Sequence, residues 1–161
     1  MTQLFTIGHG THSKEELSTL LVNNHIQLVV DVRRFPGSRH HPMMARAQME
    51  TWIPQLGIQY RWEERLGGRR SLTKAAAESS PDKWWKVAAF KAYAGWTRSS
   101  EFQAGLNRVL TDAEQFKTVI MCSESAWWHC HRRVIADVAI LTHGVSVTHI
   151  MPNGSLTSHL V

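Results

Sequence analysis

Strand-like and helix-like segments alternate along the whole 161-residue sequence. Helical patterns separate five short apolar runs that have the length and composition of buried strands: Leu4–Ile7, Gln27–Val32, Ile58–Trp62, Lys117–Cys122 and Val145–Ile150. Strands joined by helices pair in parallel, because the crossover helix returns the chain to the same end of the sheet. The alternation therefore predicts an α/β fold, in which helices flank a mainly parallel sheet. The length fits a single three-layer domain over residues 1–161.

The predicted helices have recognisable ends. Ser13, with Glu16 three residues later, forms a capping box that begins the first helix. The second, Ala45–Leu56, has Pro54 in its last turn and Gly57 directly after it. Three further helices are predicted from proline, serine and glycine signals and from apolar periodicity: one that begins at Ser80 and Pro81, one that carries Phe102, Leu106 and Leu110, and His129–His143.

The charge balance favours an anionic partner. Eighteen Lys and Arg residues against thirteen Asp and Glu residues leave a net charge of +5. Such an excess suits an anionic small molecule or a nucleic acid. Much of it lies between Arg33 and Arg70, among aromatic residues that in nucleic-acid-binding proteins stack on bases. The alternative interpretation is that these aromatic side chains pack in the core while the arginines face solvent.

Nothing in the sequence indicates a membrane segment. It contains no run of eighteen apolar residues, and its first residues lack the basic flank and apolar core of a secretion signal. We therefore expect a cytoplasmic protein without membrane contact. In a reducing compartment the two cysteines are expected to be free thiols or ligands rather than a disulfide. No cofactor and no oligomeric state is indicated.

Reactive side chains are concentrated in residues 119–133. Cys122 follows an apolar strand and precedes a helical pattern, so its thiol is expected to face backbone N–H groups that lower a thiol pKa. This predicts Cys122 as a nucleophile, with a buried core residue as the alternative. Glu124 is a candidate general acid or base, or else a cap of the following helix. Cys130 is a candidate for resolving an oxidised Cys122, and His131 is a candidate for moving protons; for both, packing is the alternative. Arg132 is a candidate for holding an anion.

Two further strand ends carry polar groups. Asp31 is a candidate for orienting a histidine or binding a ribose hydroxyl, or else it pairs with an arginine to hold the loop. The segment from Arg33 to Ser38 has the arginines and backbone amides to wrap an anionic group, and Gly67 and Gly68 suit an anion clamp or a simple turn. A zinc site from both cysteines and His129 or His131 is an alternative. Seven residues between the cysteines exceed the usual zinc spacing of about two to four, so no metal is predicted.

Together these segments resemble a known family, domain of unknown function 488. The motifs are TIGHG at Thr6–Gly10, DVRRFPGS at Asp31–Ser38, Tyr60 before LGG at Leu66–Gly68, CSE at Cys122–Glu124, CHR at Cys130–Arg132, and HI at His149–Ile150. The family more commonly has serine where this chain has Gly10. The resemblance covers nearly the whole chain and implies one α/β domain with a pocket formed by eight residues: His9, Asp31, Arg33, Cys122, Glu124, Cys130, His131 and Arg132. The family name implies no reaction.

The residues and the resemblance together predict a thiol-dependent enzyme, a hydrolase or transferase for an anionic, nucleotide-like or nucleic-acid substrate. The predicted catalytic residues are Cys122, Glu124, His131 and Asp31, and the predicted substrate-binding residues are His9, Arg33, Ser38, Arg132, Tyr60, Gly67 and Gly68. One alternative is a metal-binding protein that uses Cys and His. The other is a non-catalytic nucleic-acid-binding domain that uses Arg33, Arg34, Arg39, Arg69 and Arg70 on phosphates and Trp127 or Trp128 on bases. The enzyme interpretation requires that the strand ends meet in one pocket at the carboxyl edge of the sheet.

Overall fold

The structure is a computed structural model that describes residues 2–34, 36–37, 40–67, 93 and 95–161. One sheet has six strands in the order β3-β2-β4-β1-β5-β6: β1 (Gln3–Gly8), β2 (Leu28–Asp31), β3 (Gln59–Trp62), β4 (Thr118–Cys122), β5 (Ser146–Ile150) and β6 (Leu156–Ser158). The first five strands are parallel, and β6 is antiparallel to β5. The predicted α/β fold with a mainly parallel sheet is confirmed.

The helices form where the sequence supplies caps and apolar periodicity. They are α1 (Lys14–Asn23), α2 (Arg46–Gln55), α3 (Ser100–Gln115) and α4 (Arg132–His143), with short 3-10 helices at Pro42–Met44, Glu64–Leu66 and Trp127–His129. The predicted capping box is present, since Ser13 and Glu16 exchange side-chain and backbone hydrogen bonds. At α3 the Ser99 hydroxyl accepts from Phe102 N at 3.1 Å. Gly144 ends α4 in the left-handed conformation, with φ +65°.

The helices cover both faces of the sheet and form a three-layer arrangement. On one face, strand residues such as Val29 and Met121 pack against Leu17 of α1 and Ile53 of α2. On the other face, strand residues pack against α3 and α4 in a second apolar layer, which includes Val30, Ile120, Phe102, Leu106, Ile135 and Ala139. Strand side chains alternate between the two layers, as a period of two requires.

Two segments differ from the sequence prediction. The last helix was expected from His129 but begins at Arg132, because residues 127–129 form a 3-10 helix and Cys130 then has an extended backbone. The sequence predicts no strand after Ile150, but the residues after Pro152 fold back as β6, and Met151 N donates to Ser155 O at 2.8 Å in the turn. The helix predicted to begin at Ser80 and Pro81 lies mostly outside the described residues.

None of the helices within the described ranges has the length and apolar character needed to cross a bilayer.

Candidate functional site

The parallel strands bring three predicted site segments to one edge of the sheet. Gly8 is in register with Cys122, and Asp31 is in register with Met121. The pairing continues beyond the strands, since His9 N donates to Cys122 O at 3.0 Å and Gly10 N donates to Ser123 O at 2.9 Å. The backbones that carry His9, Asp31 and Cys122 therefore lie side by side at the carboxyl end of the sheet.

The side chains of these segments leave the edge on opposite faces. Because side chains alternate along a strand, Asp31 faces the side of Val29, and Val30 faces the other side. Val29 belongs to the apolar layer under α1 and α2, whereas Val30 and Cys122 belong to the layer under α3 and α4. The residues expected in one pocket thus form two clusters, one on each face.

The first group, here the carboxylate cluster, consists of Asp31, Arg33, Tyr60 and His9. Both Asp31 and Arg33 are buried. Arg33 makes a two-pronged contact with the Asp31 carboxylate, Nε to Oδ1 at 2.8 Å and Nη2 to Oδ2 at 2.6 Å, while its backbone N–H donates to Oδ1 at 3.1 Å. Tyr60 donates its hydroxyl proton to Oδ2. His9 Nε2 lies 3.4 Å from Arg33 Nη1.

Burial and this ion pair set the protonation of the carboxylate cluster. Burial and, to a smaller extent, the neighbouring Arg33 charge lower the pKa of His9 to about 4, so the ring is neutral at neutral pH. Burial also raises the pKa of Tyr60, and the Asp31 carboxylate adds to that rise, so Tyr60 remains a donor. With four hydrogen bonds donated to it, Asp31 is engaged in holding Arg33 and the loop, which matches the alternative interpretation of this residue.

The second group, here the thiol cluster, consists of Cys122, Cys130, His131 and Arg132. Cys122 and Cys130 are free thiols whose sulfur atoms lie 2.7 Å apart. Cys122 is 2% exposed and Cys130 is 7% exposed, so both sulfurs are largely shielded and Cys130 is the more accessible of the two. The Arg132 backbone N–H donates to Cys130 Sγ at 3.4 Å, which places this sulfur at the first turn of α4.

His131 contacts the Cys130 sulfur on one side and the end of β2 on the other. Its Nδ1 lies 3.4 Å from Cys130 Sγ, and its Nε2 lies 2.6 Å from the Val32 carbonyl oxygen. A carbonyl oxygen only accepts, so Nε2 carries the proton, and in the neutral ring Nδ1 has a lone pair. His131 can therefore accept the thiol proton of Cys130.

Arg132 is a buried cation, only 1% exposed. Its Nη2 donates to the Glu124 carbonyl oxygen at 2.6 Å and to the Ser125 carbonyl oxygen at 3.3 Å, and its Nη1 donates to Thr6 Oγ1 at 3.1 Å. No carboxylate forms an ion pair with Arg132 among the described residues. A buried guanidinium without such a partner strongly favours a nearby anion.

The pKa values of the two thiols are shifted in opposite directions. Burial raises the pKa of Cys122 well above its usual value, and the hydrogen bond with Cys130 adds to the rise. Burial also opposes ionisation of Cys130, but the hydrogen bond from Cys122 and the Arg132 guanidinium outweigh it and lower the Cys130 pKa to about 7. The thiol that ionises first is therefore Cys130. The expectation of a lowered Cys122 pKa fails because that sulfur lies in the apolar layer rather than at the loop surface.

Glu124 contributes through its backbone. Its side chain is exposed, and Oε1 accepts a hydrogen bond from Ala126 N at 3.3 Å. This contact within the turn is similar to the capping role that was the alternative interpretation of Glu124. Its carbonyl oxygen holds Arg132. A Cβ on Gly8 would lie 1.8 Å from that oxygen, so only glycine at this position lets β1 approach the Glu124 loop.

Of the remaining predicted substrate-binding residues, the structure describes Tyr60 and Gly67. Tyr60 lies in the carboxylate cluster. A Cβ on Gly67 would lie 2.6 Å from Arg34 Cα, which indicates tight packing of this glycine against the loop after β2. Ser38 and Gly68 lie outside the described residues, as do Arg39, Arg69 and Arg70.

The two alternative interpretations were a metal site and a nucleic-acid-binding domain. Across the described part of the chain, no group of three or more His, Cys, Asp or Glu side chains is arranged to hold a metal ion. Trp127 stacks on His149 with ring centroids 4.3 Å apart and an interplanar angle of 2°, so it already has a stacking partner. Trp128 is 46% exposed.

Sequence reasoning missed a buried polar network behind the thiol cluster. His149 and His159 are not among the predicted site residues, yet both are buried, and their rings contact each other between Thr6 and Asp137. The resemblance includes Thr6 and His149 in its motifs, but nothing in the sequence signals that their side chains meet. Their contact depends on the neighbouring positions of β1 and β5.

Comparison with known proteins identifies the family. The profile described as Domain of unknown function DUF488 matches residues 13–139, which is more than three quarters of the chain. The chain belongs to this family. The match confirms the resemblance, and the matched segment includes the thiol cluster as well as Asp31, Arg33 and Tyr60. Thr6, His9 and His149 lie outside the matched segment. No curated protein and no solved structure matches the chain.

Proposed function

We propose that this protein is a thiol-dependent enzyme in which Cys130, rather than Cys122, supplies the reactive sulfur. The observation that carries the proposal is the line of contacts from Cys130 Sγ to His131 Nδ1 at 3.4 Å and from His131 Nε2 to Val32 O at 2.6 Å. A nucleophile, its base and a group that orients the base are the three parts of nucleophilic catalysis by a side chain.

The protons have defined positions in this arrangement. His131 takes the Cys130 proton at Nδ1, and the resulting imidazolium donates from both nitrogens, to the thiolate and to Val32 O. The thiolate also accepts from the Arg132 backbone N–H, and the Arg132 guanidinium supplies the compensating charge. Cys122, which keeps its proton, is the remaining donor to the Cys130 sulfur.

The carboxylate cluster supports this chemistry through the backbone. Val32 lies between Asp31 and Arg33, whose side chains are joined by hydrogen bonds that span this residue. The ion pair therefore holds the Val32 carbonyl in the position that orients His131. In this proposal Asp31 acts as a positioning residue and not as a general base.

The proposed substrate is an anionic small molecule with an electrophilic centre, of which nucleotides are one class. The support is the net charge of +5 and the buried Arg132 beside the sulfur. Attack by the thiolate on an electrophilic centre forms a covalent intermediate, and its release to water or to a second acceptor distinguishes a hydrolase from a transferase. The exposed side chain of Glu124 is the candidate for proton exchange with the substrate.

The test is the pH profile of alkylation with iodoacetamide, with the labelled cysteine identified by peptide mass spectrometry. We expect Cys130 to be labelled before Cys122, with a half-point near pH 7 in agreement with its pKa of about 7. The matched variants are Cys122→Ser and Cys130→Ser, and only the second should abolish the low half-point. A half-point at the ordinary thiol value of about 8.5, or labelling of Cys122 first, would falsify the proposal.

A further inference from the structure

The buried network on the α4 side of the sheet connects the candidate thiol to the protein surface. Thr6 Oγ1 lies 2.5 Å from His149 Nδ1, and His149 Nε2 lies 2.8 Å from His159 Nδ1. His159 Nε2 then lies 2.6 Å from Asp137 Oδ1. Thr6 and His149 are fully buried, His159 is 6% exposed, and the Asp137 side chain is 33% exposed.

We infer that this network is a one-directional hydrogen-bond chain that positions Arg132 beside Cys130. The chain runs from Arg132 through Thr6, His149 and His159 to Asp137. Its members are positioning residues for the thiol chemistry, and in that respect the inference rests on the proposed function.

The direction follows from donor and acceptor chemistry. A carboxylate only accepts, so His159 Nε2 donates to Asp137, which in the neutral ring leaves Nδ1 as an acceptor. His149 Nε2 then donates to His159, and His149 Nδ1 accepts the Thr6 hydroxyl proton. A guanidinium only donates, so Arg132 Nη1 donates to the Thr6 oxygen at 3.1 Å. Every link is satisfied without an additional proton.

The reversed chain is disfavoured by its surroundings. It requires His159 to be an imidazolium that donates to His149, which then donates to Thr6. Thr6 would accept from both His149 and Arg132, with its own proton left over. Burial, together with the charges on His159 and Arg132, lowers the pKa of His149 to about 3, so this ring is neutral in either direction and cannot carry the extra proton that the reversed chain requires. Trp127, stacked on His149, keeps water from the ring face.

The consequence for the site is electrostatic and steric. Each link presents its accepting end towards Arg132, and chained hydrogen bonds polarise one another in the same sense. The Asp137 carboxylate thereby offsets part of the buried charge of Arg132, and the Thr6 oxygen holds Nη1 in place. The other amino group is held by the carbonyl oxygens of Glu124 and Ser125. Arg132 is thus clamped at both amino groups on one side of the Cys130 sulfur.

The first experiment examines the chain in the wild-type protein by nitrogen-15 NMR of labelled histidines, with assignments from His149→Phe and His159→Phe. If the chain runs in this direction, both rings are neutral at pH 7, with the proton on Nε2 and an unprotonated Nδ1 that accepts a hydrogen bond. A proton on Nδ1 of His149, or an imidazolium at His159, would overturn the chain.

The second experiment measures its effect on Cys130. Thr6→Val removes only the hydroxyl that joins the chain to Arg132, and we expect the alkylation half-point of Cys130 to rise by about 0.5 to 1 pH unit, the size of one hydrogen bond. The matched control is Thr148→Val on β5, a buried threonine on the opposite face whose hydroxyl accepts from Gln3 Nε2 at 3.0 Å. This control should leave the half-point unchanged.

The outcomes separate the two proposals. If the chain only stabilises the fold, Thr6→Val should have a lower melting temperature, but its Cys130 alkylation half-point should equal that of the wild type. This result would refute the positioning role. A wild-type half-point near 8.5 would refute the proposed function and with it the positioning role, while the NMR tautomers still decide whether the chain exists.

Discussion

The sulfur atoms of Cys122 and Cys130 lie 2.7 Å apart, although a turn and a short 3-10 helix separate the two residues in the chain. Cys122 ends β4 inside the apolar layer, and the extended backbone at Cys130 returns the chain to it at the start of α4. The raised pKa of Cys122 keeps its thiol protonated, whereas the pKa of Cys130 is about 7, so this thiol ionises near neutral pH. An ionised sulfur in contact with a second thiol defines a dithiol pair with distinct roles.

Mild oxidation should link this pair. With hydrogen peroxide, the Cys130 thiolate attacks one oxygen and releases water, and Cys122 then displaces water from the oxidised sulfur. In total, two thiols lose two protons and two electrons, and one peroxide becomes two waters. We expect intact-mass spectrometry to show the loss of two hydrogens, reversed by dithiothreitol. Cys122→Ser is the control that cannot form the bond. Oxidation of Cys130 to sulfinic acid in the wild type without loss of two hydrogens would contradict this prediction.

Replacing Arg132 by Met should raise the Cys130 pKa and destabilise the fold. The variant removes the charge that lowers the Cys130 pKa and leaves the Glu124 and Ser125 carbonyl oxygens without this donor. We expect an alkylation half-point at or above the ordinary thiol value of about 8.5 and a loss of about 1–3 kcal/mol in the free energy of unfolding. Arg133→Met, at the exposed neighbouring position of α4, is the matched control. Equal half-points in the two variants would show that Arg132 does not tune the thiol.

Replacing Asp31 by Asn should destabilise the protein strongly, because it leaves the buried Arg33 charge without its partner. The side chains of this pair are 0% and 7% exposed. Removing one member of a buried pair costs about 3–5 kcal/mol, measurable by urea unfolding. Glu50→Gln breaks the exposed pair with Arg46, and we expect a change below about 1 kcal/mol there. Similar losses in both variants would contradict the assigned role of Asp31.

The stability of the protein should fall on mild acidification because of His9. Its pKa is about 4 in the folded protein against an ordinary value of 6.5, so the unfolded chain binds the proton more readily. The full stabilisation is present above pH 6.5 and declines as the pH falls towards 4. This one ring accounts for about 3 kcal/mol across that window. Urea unfolding at several pH values should show a shallower slope in His9→Asn, and an identical slope in both proteins would count against the prediction.

Local sequence predicts which residues lie at the carboxyl edge of the sheet, but it does not predict on which face of the sheet each side chain lies. Apolar runs identify the strands because burial requires them, and parallel pairing then brings His9, Asp31 and Cys122 to one edge. Whether two side chains on neighbouring strands share a face depends on register. A shift of one residue reverses it, and the strand sequences do not encode the offset between β2 and β4. The register of Asp31 with Met121 therefore separated the carboxylate from the thiol.

The sequence by itself determined the α/β fold, the helix cap at Ser13, and the segment that holds both cysteines, because propensity, capping and strand burial act over short distances along the chain. Only the tertiary structure decided that Cys130 is the more acidic thiol and that His149 and His159 join Thr6 to Asp137. The reason is physical. Burial, hydrogen-bond partners and neighbouring charge set a pKa or a tautomer, and here they come from strands and a helix far apart in the sequence.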